Sequence, residues 1–130
     1  MKEKSCGAVV INNGQVLLIQ SNEGIYGFPK GHMEEGESEI QTALREVKEE
    51  VGLDVKIDES KKYVINYTIN NEIEKTTIFY IATPLNENIE IQESEIENIK
   101  WCDFDEVLDV LTYDNWKEMF KKVIQDIDKK

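Results

Sequence analysis

Residues 31–53 read GHMEEGESEIQTALREVKEEVGL, and the architecture of the chain is decided inside this stretch. From Ser38 onward, Ile40, Leu44, Val47 and Val51 recur at steps of four, three and four, which places them on one stripe of an α-helix. Ser38 is a good N-cap, and Gln41 three positions later completes a capping box in which each side chain satisfies the other's backbone N–H. Gly52 follows the last apolar residue, where a left-handed conformation ends a helix. Away from the stripe, Glu46, Glu49 and Glu50 fall at i, i+3 and i+4, so three carboxylates share a face and repel one another. Lys48 is turned away from that face and cannot screen all three. A helix built this way asks for a cation. Oxygen donors without a histidine or thiol among them suit Mg²⁺ or Mn²⁺, ions that also accept phosphate oxygens as ligands.

Upstream, the β-prone runs Cys6–Ile11 and Gln15–Gln20 flank Asn12-Asn13-Gly14, a hairpin signal. A loop is expected over 21–27. In Phe28-Pro29-Lys30-Gly31 the proline biases Phe28 toward an extended conformation. Downstream, Val55–Ile57, Tyr63–Ile69 and Thr76–Thr83 read as strands, the last two forming a hairpin across the polar stretch 70–75. An acidic loop over 86–98 leads into a short strand over 99–102, and helices are expected over 104–111 and 115–127. Trp116, Phe120, Val123, Ile124 and Ile127 share one face of the last helix and read as core.

With 130 residues and 40% hydrophobic content, the chain can build one buried core, and a single domain over 1–130 is expected. Cys6 and Cys102 sit in no paired or metal-ligand spacing; they read as small core residues in a reducing compartment. The apolar stretch after the N-terminus is too brief for a signal-peptide core or a membrane span, so the cytoplasm is the expected location. A formal net charge of −12 with no basic stripe disfavours long DNA or RNA. Small phosphate-bearing substrates stay open if metal ions screen the acid. A monomer is compatible with these features.

The spacing inside 31–53 is specific: Gly31, five residues to Glu37, seven more to Arg45-Glu46, then Val47, Glu49-Glu50, Val51, Gly52 and Leu53. It resembles the Nudix box. That resemblance implies an α/β/α sandwich around a mixed β-sheet. It also implies hydrolysis of a nucleoside diphosphate linked to another group, by attack of water on phosphorus with divalent ions neutralising charge. By position in the box, Glu46, Glu49 and Glu50 would ligate metal together with the backbone carbonyl of Gly31. Arg45 would orient the carboxylates, with Glu37 as its partner. Glu95 aligns with a glutamate outside the box that completes the metal site or deprotonates water, and Glu46 is the other candidate base.

Within that family, Tyr26-Gly27-Phe28-Pro29-Lys30-Gly31-His32 is similar to the entrance segment of the asymmetrical diadenosine tetraphosphate hydrolases. The Lys75-led strand through Ala82 and the segment Glu95–Trp101 are similar too. The resemblance implies a small nucleotide substrate, a dinucleoside polyphosphate cleaved to ATP and AMP. Lys30, His32 and Lys75 would contact phosphates, and Tyr26, Tyr63 or Tyr67 would stack an adenine. Tyr26 stands where a tryptophan is frequent, and Met33-Glu34-Glu35 adds acid beside the phosphate path. The competing readings are other Nudix substrates (modified nucleoside triphosphates, RNA 5′ ends, nucleotide sugars) and a non-catalytic nucleotide sensor, against which the complete carboxylate set speaks. Beyond Trp101 no residue falls on a family motif, and that segment is expected to pack.

Overall fold

A computed structural model of the chain describes residues 2–128, with the backbone alone at Asp128. Met1, Lys129 and Lys130, the ends of the expected 1–130 domain, lie outside the described residues. Strands β1 (Lys2–Asn12) and β2 (Gln15–Ser21) meet at a turn in which Asn13 and Gly14 take positive φ values of 52° and 77°, a conformation these residue types tolerate. The expected hairpin forms, but it pairs only at its base, Ile11 with Val16 and Asn12 with Gln15. Beyond that point β1 and β2 diverge, and residues 26–32 fill the fork. Strand β3 (Tyr26–Gly27) pairs with β2, while β4 (Lys30–His32) pairs with β1 through Gly7↔Lys30, Cys6↔Gly31 and Ser5↔His32. The loop expected over 21–27 thus ends in a strand, a pairing too short to leave a period in the sequence.

Helix α1 (Glu39–Val51) has the expected ends. Ser38 and Gln41 form the capping box, and Gly52 closes the helix at φ 78°. Strands β5 (Val55–Ile69) and β6 (Ile73–Pro84) are an antiparallel hairpin whose turn holds Asn70 and Asn71 at φ 52° and 59°. Two separate strands were expected where β5 runs continuously; the chain instead absorbs the polar stretch in a shift of pairing between Asp58 and Lys62. β6 runs parallel to β1 from Lys2↔Glu74 to Val10↔Ala82, which makes the sheet mixed. Strand β7 (Ile96–Asp103) lies antiparallel to β2, starting three residues before its expected position, and helices α2 (Phe104–Val110) and α3 (Asp114–Asp128) follow.

Alternation along the strands sorts the core into two layers. Ala8, Val10, Leu17 and Ile19 face Val47 and Val51 of α1, whereas Val9, Val16 and Leu18 face Val107, Phe120 and Val123 of α2 and α3. This is the expected α/β/α sandwich. Cys6 and Cys102 are buried and unpaired, as small core residues. The α1 stripe is rotated from its expected setting. Ala43 packs on Cys6, Ile78 and Tyr80, while Leu44 turns outward to 38% exposure and Glu50 turns inward. Among the described residues no helix is long and apolar enough to cross a membrane.

Glu39 ties the start of α1 to the sheet, accepting from Lys4 of β1, Lys62 of β5 and the Tyr80 hydroxyl of β6. The Lys4 hydrogen bond, with Lys62 and Tyr80 after it, holds the Glu39 carboxyl down at about 2, below its ordinary 4.5. A depressed carboxylate contributes stability that is complete above the unfolded pKa and is lost as pH falls through the folded one. The melting temperature of Glu39→Gln is therefore expected to lie below that of the parent at about pH 7, with the gap closing between about pH 4.5 and 2. A gap of constant size over that range would contradict this account.

Candidate active site

Arg45 is the hub from which the site is built. Its Nε and Nη2 donate to the two oxygens of Glu37 at 2.7 and 3.0 Å, a bidentate fork. Nη1 donates to Glu46 Oε1 at 2.7 Å and to Glu49 Oε2 at 3.2 Å, and Nη2 also reaches the carbonyl of His32 at 2.9 Å. One guanidinium thereby links β4, the loop before α1 and the acidic face of α1. Glu37 in turn accepts from the Glu34 N–H and the Thr42 hydroxyl at 2.9 and 3.0 Å. Arg45, ahead of those two donors, holds the Glu37 carboxyl down at about 2, and Glu37 raises the already high pKa of the guanidinium.

Around this hub Gly31, Glu46 and Glu50 come together. A Cβ at residue 31 would lie 2.1 Å from the Glu46 carboxyl carbon, so the β4 backbone approaches the carboxylate as only glycine allows. Glu50 is 4% exposed, and its Oε2 is the one buried side-chain oxygen without a hydrogen-bond partner among the described residues. Burial first, then the neighbouring Glu46, pushes the Glu50 carboxyl well above the usual carboxylate range. Two adjacent acids, one of them buried with an unpaired oxygen, are costly unless a cation satisfies them. Among the described residues no three acidic, histidine or cysteine side chains converge into a closed cage, because Glu46 and Glu49 are turned to Arg45. The unpaired oxygen, the bare glycine and the all-oxygen donor set nevertheless fit a hard divalent cation.

Glu50 also lines a cleft of about 790 Å³. Of the residues expected from sequence, Lys30, Lys75, Tyr67 and Glu95 line it as well. Lys30 is largely buried there, and burial lowers its pKa ahead of the opposing effect of Glu50. Three expected substrate residues lie elsewhere. Tyr63 is 6% exposed in the α3-side core and its hydroxyl donates to Asp126 at 2.7 Å, since inward alternation on β5 carries it under α3. His32 is exposed, with Nε2 3.5 Å from Glu3. Tyr26 packs against the core, and its backbone is tied to Thr112. Tyr113, Asn115 and Trp116 line the cleft although the segment after Trp101 was expected only to pack. The apolar period of α3 put Trp116 in the core, where most of the indole indeed lies at 6% exposure; the aromatic pair Tyr113 and Trp116 at the helix start was the available signal.

A fork-inserted glycine strand and an arginine-ordered acidic helix, set within an α/β/α sandwich, define a class. The NUDIX domain family matches residues 1–124, and the chain belongs to it. Among its relatives, the asymmetrical bis(5′-nucleosyl)-tetraphosphatase of Sus scrofa is 31% identical over 138 residues, covering 94% of this chain and 93% of the relative. Nudix hydrolase 2 of Arabidopsis thaliana is 36% identical over 111 residues, covering 78% of this chain and 39% of that one. A crystal structure of a C. elegans Ap4A hydrolase binary complex superposes with a TM-score of 0.87 at 25% identity, covering 98% of this chain and 99% of that chain.

Replacing Glu50 by glutamine removes the buried acid and keeps its shape. In the presence of a chelator Glu50→Gln is expected to melt higher than the parent by a few degrees, about what 1 kcal/mol is worth in a domain of this size. It is also expected to lose the stabilisation that divalent cations give the parent. A variant that melts lower, or that still gains stability from cations, would show that Glu50 has a packing role alone.

Proposed function

We propose that the chain hydrolyses a dinucleoside polyphosphate, diadenosine tetraphosphate to ATP and AMP, with Mg²⁺ or Mn²⁺ as cofactor. The observation that carries the reading is the cleft itself, which holds the buried Glu50 together with two lysines and an aromatic set. The named activity of the Sus scrofa relative, which this chain matches over nearly its full length, supports it. Glu46, Glu50 and the Gly31 carbonyl would hold the cation, with Glu49 and Glu95 as further candidates. When bound, such an ion neutralises charge on phosphate oxygens and makes water a better nucleophile.

The chain's own residues divide the remaining work. Lys30 and Lys75 present ammonium groups to the polyphosphate, and Tyr67 and Tyr113 offer aromatic faces to a nucleobase. Arg45, itself held by the bidentate Glu37, orients the Glu46 and Glu49 carboxylates through direct hydrogen bonds. Glu95 stands on the cleft wall, exposed to solvent, and is our candidate for removing the proton of the attacking water. A small nucleotide rather than long RNA suits the net charge of −12, and the two unpaired buried cysteines suit the cytoplasm.

The test is a panel of dinucleotides, modified nucleoside triphosphates, capped RNA and nucleotide sugars, with products identified after reaction in ¹⁸O water. Turnover is expected to be best on diadenosine tetraphosphate, with label in a single product; preference for a triphosphate or a nucleotide sugar would reject the substrate. On the preferred substrate, Glu95→Gln is expected to lower kcat by about 100-fold, the low end of what a general base contributes. Equal effects of Glu95→Gln and Glu93→Gln would remove Glu95 from the chemistry.

A further inference from the structure

Trp116 begins the apolar face of α3, yet its indole meets the cleft as well as the core. Helix α3 is fixed near this end by a backbone clamp to β3: the Tyr26 N–H donates to Thr112 Oγ1 at 2.9 Å, and the Thr112 N–H donates to the Tyr26 carbonyl at 3.3 Å. The clamp lays the indole directly on the β3 backbone. A Cβ at Gly27 would come 2.0 Å from the ring, so no other residue type fits beneath it. On the core side the ring stacks on Phe28, with centroids 6.0 Å apart and planes 11° from parallel, and Phe79 meets it edge-on at 5.5 Å. The indole therefore has one setting, fixed on several sides.

Over that fixed ring lies the ammonium of Lys30, 5.7 Å from the centroid. Lys30 has other possible partners. Glu46 and Glu50 both act on it electrostatically, and Glu50 shares the cleft wall with it. Glu46 gives its ion pair to Arg45. A lysine ammonium on its flexible stem beside a pair of acids is drawn to them, which neutralises the cation and occupies the oxygens that a metal needs. An indole offers the ammonium an electron-rich face without offering it a proton acceptor, and tryptophan does so better than any other side chain.

We propose that Trp116 is a positioning residue for Lys30, holding the ammonium over the indole and away from the Glu46 and Glu50 carboxylates, so that it stays available to a polyphosphate anion. Gly27 belongs to the same device, because it supplies the gap in which the indole rests. The inference deepens the phosphate-binding part of the function proposed above and rests on it, but not on which nucleotide is cleaved. Trp116 acts through Lys30 and needs no contact of its own with the reacting phosphorus.

Binding of inorganic tripolyphosphate to the full chain, followed by calorimetry at low salt, reads the device without turnover. Trp116→Phe keeps a stacked ring and is expected to weaken binding about 3-fold, Trp116→Leu about 10-fold, matching the range of cation–π energies. Gly27→Ala is expected to reproduce the larger loss by displacing the indole. In a Lys30→Met background, Trp116→Phe and Trp116→Leu should add no further loss, which is the signature of two residues acting as one unit. The same variants should raise KM on whichever nucleotide turns over while leaving kcat within about 2-fold. The inference is overturned if the parent does not bind tripolyphosphate, if Trp116→Phe and Trp116→Leu leave binding unchanged, or if they weaken it equally with and without Lys30. Intact coupling alongside failure to cleave a dinucleotide would reject the substrate reading alone.

Discussion

At residue 31 the backbone of β4 and the carboxylate of Glu46 are so close that a single added methyl group would fall 2.1 Å from the carboxyl carbon. Much else in the molecule serves to hold that contact. β4 is in place because β1 and β2 part after two paired positions and leave an edge for it on β1. α1 is in place because Ala43, Val47 and Val51 bury against the sheet and its ends are capped by Ser38 and Gly52. Arg45 then closes the arrangement with one hydrogen bond to the strand side, at the His32 carbonyl, and others to Glu37, Glu46 and Glu49. The arrangement sets the β4 backbone beside the Glu46 carboxylate, and oxygen donors of this kind are the ones hard divalent ions favour.

Both signs of charge meet in the cleft, where Glu23, Glu50 and Glu95 share the wall with Lys30 and Lys75. The chain carries a formal net charge of −12, yet the cleft beside the carboxylates holds Lys30 and Lys75 and aromatic faces. Repulsion among the acids is managed locally: Glu37 and Glu49 are paired with Arg45, Glu39 with lysines on two strands, and among the described residues Glu50 alone keeps a buried side-chain oxygen without a hydrogen-bond partner. Stability is thus given up at one position and recovered at its neighbours, the distribution found where a site is built to receive a ligand. The aromatic wall follows from α3, whose start is clamped to β3 and whose far end is tied to β5 through Tyr63 and Asp126.

What was legible in the sequence was local. The α1 caps, the turn at Asn13-Gly14 and a hairpin turn within the polar stretch 70–75 all rest on interactions within a few residues, and each lies where its signal is, although β6 already begins at Ile73. The spacing from Gly31 to Leu53 carried the family and the sandwich. What was not legible depends on partners far along the chain. The short pairings of β3 and β4 leave no period, and the outward setting of Leu44 goes with the packing of Ala43 on Cys6, Ile78 and Tyr80, partners on other strands. Tyr63 and Tyr67 share one face of β5 and pack on the same core cluster, and only position along the strand decides that Tyr63 is tied to Asp126 of α3 while Tyr67 lines the cleft. The helical period of α3 accounts for Trp116 as a core residue, so its second surface, toward Lys30, is marked only by the pairing with Tyr113 just before the helix.

The central claim is that the Gly31 carbonyl, Glu46 and Glu50 form one cation site. Diffraction from crystals of the chain soaked in Mn²⁺, recorded for its anomalous signal, tests it most directly. The account predicts a peak at inner-sphere distance, about 2.1 Å, from the Gly31 carbonyl and from at least one oxygen each of Glu46 and Glu50, with Glu46 swung from Arg45 toward the ion. Manganese bound only at surface acids such as Glu93 or Glu97, with Glu50 Oε2 still unpaired, would contradict it.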